Sequence, residues 1–157
     1  MRDHAALARE VIDANLYLAL GTADADGKPW VSPVYFVPDE YRRFYWASSP
    51  TTRHSQNLAV RSAVSLAIFD SSVAVGKAQA VYVEATAAQV PDDELEPAAA
   101  IYNSRLDEGR GFELDELRGD GLFRLYRATA TEHSVLIRGG DPEYGTGADS
   151  RLVISLD

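Results

Sequence analysis

The sequence predicts a mainly β fold, an antiparallel barrel of six or seven strands with flanking helices. Three observations predict it. Segments rich in Val, Ile, Tyr, Thr and Phe recur from Leu16 to Leu156 between turn signals. They follow one another too directly for the helical crossovers that parallel strands need. Only one helix interrupts the strands and two more flank them, an arrangement suited to a sheet that closes on itself and so removes its edges.

Taken in order, Asp3 is an N-cap for a helix to about Ala14, with Ala6, Leu7, Val11 and Ile12 on one face to pack on or plug the sheet. Leu16 to Ala23 reads as a strand, Asp26-Gly27 as its turn and Val31 to Val37 as the second strand. Pro29 and Pro33 confine that second strand to an edge, an end or a bulge, because neither can donate to a ladder. A polar turn from Pro38 to Arg43 leads into Phe44-Tyr45-Trp46-Ala47. A helix over Thr51 to about Val60 then precedes strands at Ala63 to Phe69 and Gln79 to Val90. Pro91 opens a helical stretch from Asp92 to Leu106, and Leu122 to Ile137 and Leu152 to Leu156 read as closing strands. Gly139 to Ser150 is a glycine-rich loop.

At 157 residues the chain reads as a single domain over 1–157, a size that buries about 68 to 70% of the unfolded surface. It has no cysteine, which excludes disulfides, thiolate metal sites and a cysteine nucleophile. The charges Arg2, Asp3, Arg9, Glu10 and Asp13 break up any leader pattern, and no run reaches the length of a membrane span. The expectation is therefore a cytoplasmic protein without a membrane partner. A net charge of −9 argues against nucleic acid as a partner. The charge is uneven, because Tyr41 to Phe69 holds no acid and four arginines, giving +4 and leaving −13 on the remainder. That gap admits two readings, chance with solvated arginines or a local anion pocket.

The second reading has a specific location. Ser48, Ser49, Thr51, Thr52, Arg53 and His54 gather hydroxyls, a fixed cation and free amides at the start of a helix. The same run also reads as a well-capped helix start with Pro50 near its first turn. His4, His54 and His133 lack metal-ligand spacing, so no metal is expected. His4 reads as a surface residue and His133 as a structural one. No G-x-S-x-G elbow, G-x-G-x-x-G turn or phosphate-binding P-loop occurs.

The set Gly27-Lys28-Pro29-Trp30, Phe44-Tyr45-Trp46-Ala47-Ser48, Thr52-Arg53-His54, Asn57-Leu58 and Ala63-Val64-Ser65-Leu66 resembles, in order and spacing, the pyridoxamine 5'-phosphate oxidase-like superfamily of FMN-binding split β-barrels. Gln79 to Ala87 is similar to that family's next strand, and Asp149-Ser150-Arg151 resembles its closing Asp-x-Arg. The likeness is densest from Leu16 to Gln89.

The resemblance implies that Ser32, Pro33 and Val34 border the flavin ring and ribityl chain. It implies that Ala47, Ser48, Arg53 and His54 hold the ribityl and phosphate end, that Gln79 faces the ring and that Arg151 closes the site. It also implies a homodimer with the cofactor at the interface. His54 stands where the family usually has Lys, and Ser32 and Val37 replace basic residues of the oxidase proper. Arg42, Tyr102 and Arg105 are a partial echo of its substrate phosphate site.

The expected function is thus an FMN-dependent oxidoreductase, a flavoprotein passing electron pairs between a reduced electron donor and a small-molecule substrate. Alternatives are a deazaflavin-dependent reductase of the same fold, or a non-catalytic flavin or haem binder.

Overall fold

The computed structural model describes residues 2–157. Its sheet is built from β1 (Tyr17–Ala23), β2 (Pro29–Tyr35), β3 (Val37–Asp39), β4 (Arg43–Ser48), β5 (Ala63–Phe69), β6 (Ala80–Gln89), β7 (Arg124–Ile137) and β8 (Ser150–Ile154). Helices α1 (His4–Ala14), α2 (Arg53–Val60) and α3 (Leu95–Asn103) accompany it. The strands run antiparallel in the order β2-β1-β5-β6-β7-β4-β3, with β8 added to β7.

Both ends of that path are one stretch of chain, because only Phe36 separates β2 from β3. The segment pairs with β1 before Phe36 and with β4 after it, which curls the sheet into a split barrel. This is why eight strands form where six or seven were expected: the Val31 to Val37 run changes partner midway and counts twice. Phe36 buries its ring fully and donates its amide to the Leu16 carbonyl at 3.1 Å. β2 has a neighbour only on its β1 side, as Pro29 and Pro33 require.

The expected turn over Pro38 to Arg43 is tighter than the sequence suggests. Pro38 and Asp39 still pair with Phe44 and Arg43, and the reversal is made by Glu40 and Tyr41 at φ 52° and 57°. Two consecutive left-handed residues match the twist of a two-residue hairpin.

Alternate residues of each strand fill the interior. Leu18, Leu20, Val34, Phe44, Trp46, Leu66, Ile68, Val81, Val83 and Tyr126 form one core, which Ala8 and Ile12 of α1 and Leu58 of α2 join. Full burial of such side chains contributes about 1.5–3 kcal/mol each. A second core, with Tyr45, Val90, Leu95, Ala98, Tyr102 and Leu117, packs α3 on the outside of β4. Two short 3-10 helices, Asp92–Glu94 and Leu114–Leu117, flank α3. The second was not foreseen, although Glu113 and Glu116 form a reciprocal capping box around it. Among the described residues no helix is long and apolar enough to cross a membrane.

Candidate functional site

Helix α2 begins at Arg53 because Thr52, extended at φ −65°, accepts the Ser55 amide on its hydroxyl at 3.3 Å. The neighbouring hydroxyls are locally satisfied, with Ser49 Oγ and Thr51 Oγ1 2.8 Å apart. Three hydrogen bonds from two side chains fix the helix to the β1–β2 hairpin. Asn57 Nδ2 donates to Thr22 Oγ1 at 3.1 Å, and Arg61 donates to the Asp24 and Ala25 carbonyls at 3.0 and 3.1 Å. Neither contact is announced by a local pattern, since both span more than thirty residues.

The first-turn amides of Arg53 and His54 have no backbone acceptor among the described residues. The Arg53 side chain is exposed, forms no ion pair or hydrogen bond there, and sets its guanidinium 4.6 Å from the centre of the Trp30 ring. His54 is buried beside it and shares a 2.8 Å hydrogen bond between Nε2 and Ser48 Oγ. Burial pushes the His54 imidazole below its usual 6.5. The ring is therefore neutral at neutral pH, able to donate one hydrogen bond in the right tautomer. The start of α2 thus offers two free amides and the Arg53 guanidinium, a chemistry suited to a phosphate.

Trp30, on whose ring Arg53 leans, borders the outer face of the sheet. There Ala19 faces Ala67 and Gly21 faces Ser65 in register, making a floor of small side chains. A Cβ on Gly21 would lie 3.3 Å from the Ser65 carbonyl oxygen, so any larger residue would raise that floor. Two hollows lie along it. One of about 510 Å³ is bounded by Trp30, Pro29, Thr22 and Thr86. The other, of about 410 Å³, is bounded by Tyr82, Ser134, Arg151 and Val153. They share Gly21, Val31, Ser65 and Glu84 and so form one trough. At its far end Arg151 lies 3.6 Å from the centre of the Tyr82 ring. Arg151 on Tyr82 thus lines one end of the trough, and Trp30, which carries the Arg53 guanidinium, borders the other.

A larger hollow of about 810 Å³ lies beside Leu122 and Phe123, where Asp92, Asp115, Glu116 and Asp120 outnumber the single Arg118, itself paired with Asp115 at 3.2 Å. Among the described residues no cluster of three or more His, Cys, Asp or Glu side chains could hold a metal.

The structure brings together Ser48 and His54 beside Arg53, and it places Arg151 on the trough that Trp30 borders. Ser32 and Pro33 are on β2 beside it, Pro33 outward opposite Ala19 and Ser32 opposite Leu20. Val34 instead points into the barrel core, and Ala47 packs against the second core on the opposite face of β4 from Ser48. Gln79 sits just before β6, near the Glu10 and Val11 side of α1 and close to the Phe69 end of β5. Arg53 is at the other end of the barrel, so the fold of the chain does not join the two.

The substrate echo is dispersed. Arg42 is exposed in the β3–β4 turn, 3.8 Å from Asp157. Tyr102 is buried against Tyr35 and Phe112, and burial pushes its hydroxyl up to about 12. Arg105 donates to the carbonyls of Phe36, Asp13 and Asn15 at 3.0, 2.9 and 2.7 Å, tying the chain after α3 to the barrel closure. Substrate binding by Arg105 would compete with those three bonds. His133 is structural as expected, bonded to the Tyr41 carbonyl at 2.7 Å. His4 is not a surface residue but is buried, its ring 5.4 Å from that of Tyr144. Sequence reasoning noted Trp30 only as part of a motif and missed the roles of Tyr82 and Asn57. The alternation of β1 and β5 could have exposed the small-residue floor.

No curated protein matches the sequence. Among solved structures, a haem-binding protein from Mycobacterium smegmatis superposes with a TM-score of 0.67 at 20% identity, over 98% of this chain and 59% of that one. The haem storage protein HutZ from Vibrio cholerae gives 0.67 at 24% identity, over 94% and 99% of the two chains. An FAD-binding protein from Mesorhizobium loti gives 0.65 at 20% identity, over 83% and 92%. At these identities the likeness is one of fold. Residues 5–135 match the profile of the pyridoxamine 5'-phosphate oxidase family, and with most of its length matched the chain belongs to that family.

Proposed function

We propose that this protein is a flavin-binding oxidoreductase whose cofactor is FMN, seated by its phosphate at the start of α2 and lying along the trough. The observation that carries this reading is the unpaired Arg53 guanidinium beside the free first-turn amides of α2. A flavin phosphate carries nearly two negative charges, and Arg53 offers a fork of N–H donors to it. The hydrogen-bonded Ser48–His54 pair keeps one further donor, and the Ala19, Gly21, Ser65 and Ala67 floor leaves room for a flat ring. When bound, the flavin supplies electron-pair transfer, so no side-chain nucleophile is required. The chain's own residues bind the anion, bed the ring and shield it from water.

Membership of a flavin-using fold family supports FMN over haem, as does the histidine inventory. Haem iron is held by His, Cys, Met or Tyr. Cysteine is absent, all three histidines are buried, and His54 and His133 are already hydrogen-bonded. Among the described residues no histidine lines either hollow of the trough, and Tyr82, which does, lies under the Arg151 guanidinium.

The same reading includes a homodimer. Tyr17, Val31, Phe69 and Val153 are exposed on the outer sheet face around the trough, and a second copy would cover them while sheltering the cofactor. It would also offer a route for Gln79 of one copy to approach the site of the other.

The test is purification without added cofactor, followed by an absorption spectrum, mass analysis of any released chromophore and light scattering. Bound FMN on a dimer is expected. A deazaflavin mass would replace the cofactor, and a colourless protein that also fails to bind added FMN would overturn the reading.

A further inference from the structure

We infer that Trp30 is a positioning residue for this anion seat: its indole face holds the Arg53 guanidinium at the mouth of the trough and so sets the preference for a phosphorylated flavin over its unphosphorylated form. The inference rests on the phosphate seat proposed above. Arg53 is a long side chain on an exposed helix start, and among the described residues it has no carboxylate or carbonyl partner. Left to itself such a side chain samples many rotamers, most of them pointing into solvent. The contact with Trp30, 4.6 Å from guanidinium carbon to ring centre, is the interaction that gives it a direction.

A cation–π contact has a consequence that an ion pair would not. It uses the charge of the guanidinium and the face of the ring, leaving the N–H donors for a ligand. A carboxylate in the place of Trp30 would occupy those donors and cancel the charge a phosphate seeks.

The platform is itself held in place. Trp30 pairs in register with Thr22 of β1, and the Thr22 hydroxyl lies 3.5 Å from the Trp30 carbonyl. The same hydroxyl accepts from Asn57 of α2 at 3.1 Å. Thr22 thus links the strand bearing the indole to the helix bearing the guanidinium, closing a ring of contacts from Trp30 through Thr22, Asn57 and Arg53 back to Trp30. Trp30 also borders the trough, so the Arg53 charge is held where the trough begins.

The test titrates FMN and riboflavin into the full-length, flavin-free protein, following quenching of flavin fluorescence, for Trp30→Leu, Trp30→Phe and Arg53→Ala. Trp30→Leu is expected to weaken FMN by about fivefold while moving riboflavin by less than about twofold, and Trp30→Phe to restore most of the FMN affinity. In an Arg53→Ala background Trp30→Leu should cost FMN nothing further, because the two residues act as one unit. Equal losses for both ligands in Trp30→Leu would mean that Trp30 packs against the ring or supports the fold, and would overturn the inference. So would an intact FMN preference in Trp30→Leu alongside its loss in Arg53→Ala, which leaves the phosphate seat standing. Retention of the preference in Arg53→Ala would remove the seat, and the inference with it.

Discussion

Arg53 and Arg105 look equivalent in the sequence, each a basic residue at one end of a helix, yet the fold uses them oppositely. Arg105 is committed to three backbone carbonyls from two separate segments, so its charge serves the barrel closure. Arg53 bonds to nothing among the described residues and merely leans on an indole. The contrast teaches that a binding arginine is recognised by what it has left to offer. A guanidinium whose donors answer buried carbonyls is already part of the structure, whereas one held by an aromatic face keeps both charge and donors for a ligand.

The largest expected effect breaks the contrast at its structural side. Arg105→Ala removes three charge-assisted bonds worth about 1 kcal/mol each, so urea denaturation should show a loss of about 3 kcal/mol. FMN affinity measured on the folded fraction should stay near wild type. An unchanged denaturation midpoint would mean that Arg105 is as free as Arg53.

Next comes the ligand side. Arg53→Ala is expected to weaken FMN by about 2 kcal/mol, roughly thirtyfold in Kd, while leaving stability within about 0.5 kcal/mol. Arg42→Ala is the matched control, since Arg42 belongs to the same acid-free stretch but only approaches Asp157 across solvent. If both variants lose FMN affinity alike, the effect is one of general surface charge and the seat at α2 is wrong.

The smallest effect sharpens the picture through pH. Burial holds the His54 imidazole below its ordinary 6.5, so the unfolded chain takes up a proton that the folded chain refuses. Below that ordinary value the unfolded state binds more protons, and stability contributed by neutral His54 falls as pH drops toward the lowered folded value. It is fully present above about 6.5, where neither state carries the proton. His54→Gln should therefore flatten the fall in denaturation midpoint between about pH 7 and pH 5 relative to the parent. A parallel fall in both proteins would assign the pH dependence to other groups.

Much of the fold was legible because its signals are local. The hydroxyl-rich entry of α2, which begins two residues later than expected with Thr52 as its cap, the Asp3 cap of α1 and the alternation of Ala63 to Phe69 lie within a few residues of what they specify. Pro29 and Pro33 announced an open strand flank from their own missing amides. The partner switch at Phe36 was illegible, since Tyr35-Phe36-Val37 reads as one uninterrupted apolar run. The short helix at Leu114–Leu117 was missed even though its capping box is written in Glu113 and Glu116. In the site, the cluster of Ser48, Arg53 and His54 was visible because it is nearly contiguous. The burial of Val34 and Tyr102 and the clamp formed by Arg105 were not, because each depends on segments far away in the chain.

The sequence by itself thus determined the antiparallel barrel class, the start of α1 at its Asp3 cap and, to within a few residues, where α2 and α3 begin. These follow from backbone propensity, caps and periodicity, which act over a few residues. Only the tertiary structure decided that Trp30 lies under Arg53, that Arg151 shares its trough, and that Arg105 faces inward. Those outcomes depend on strand register and on how β1, α2 and the barrel closure pack, and a charged side chain finds its partner only once the chain has brought distant segments together.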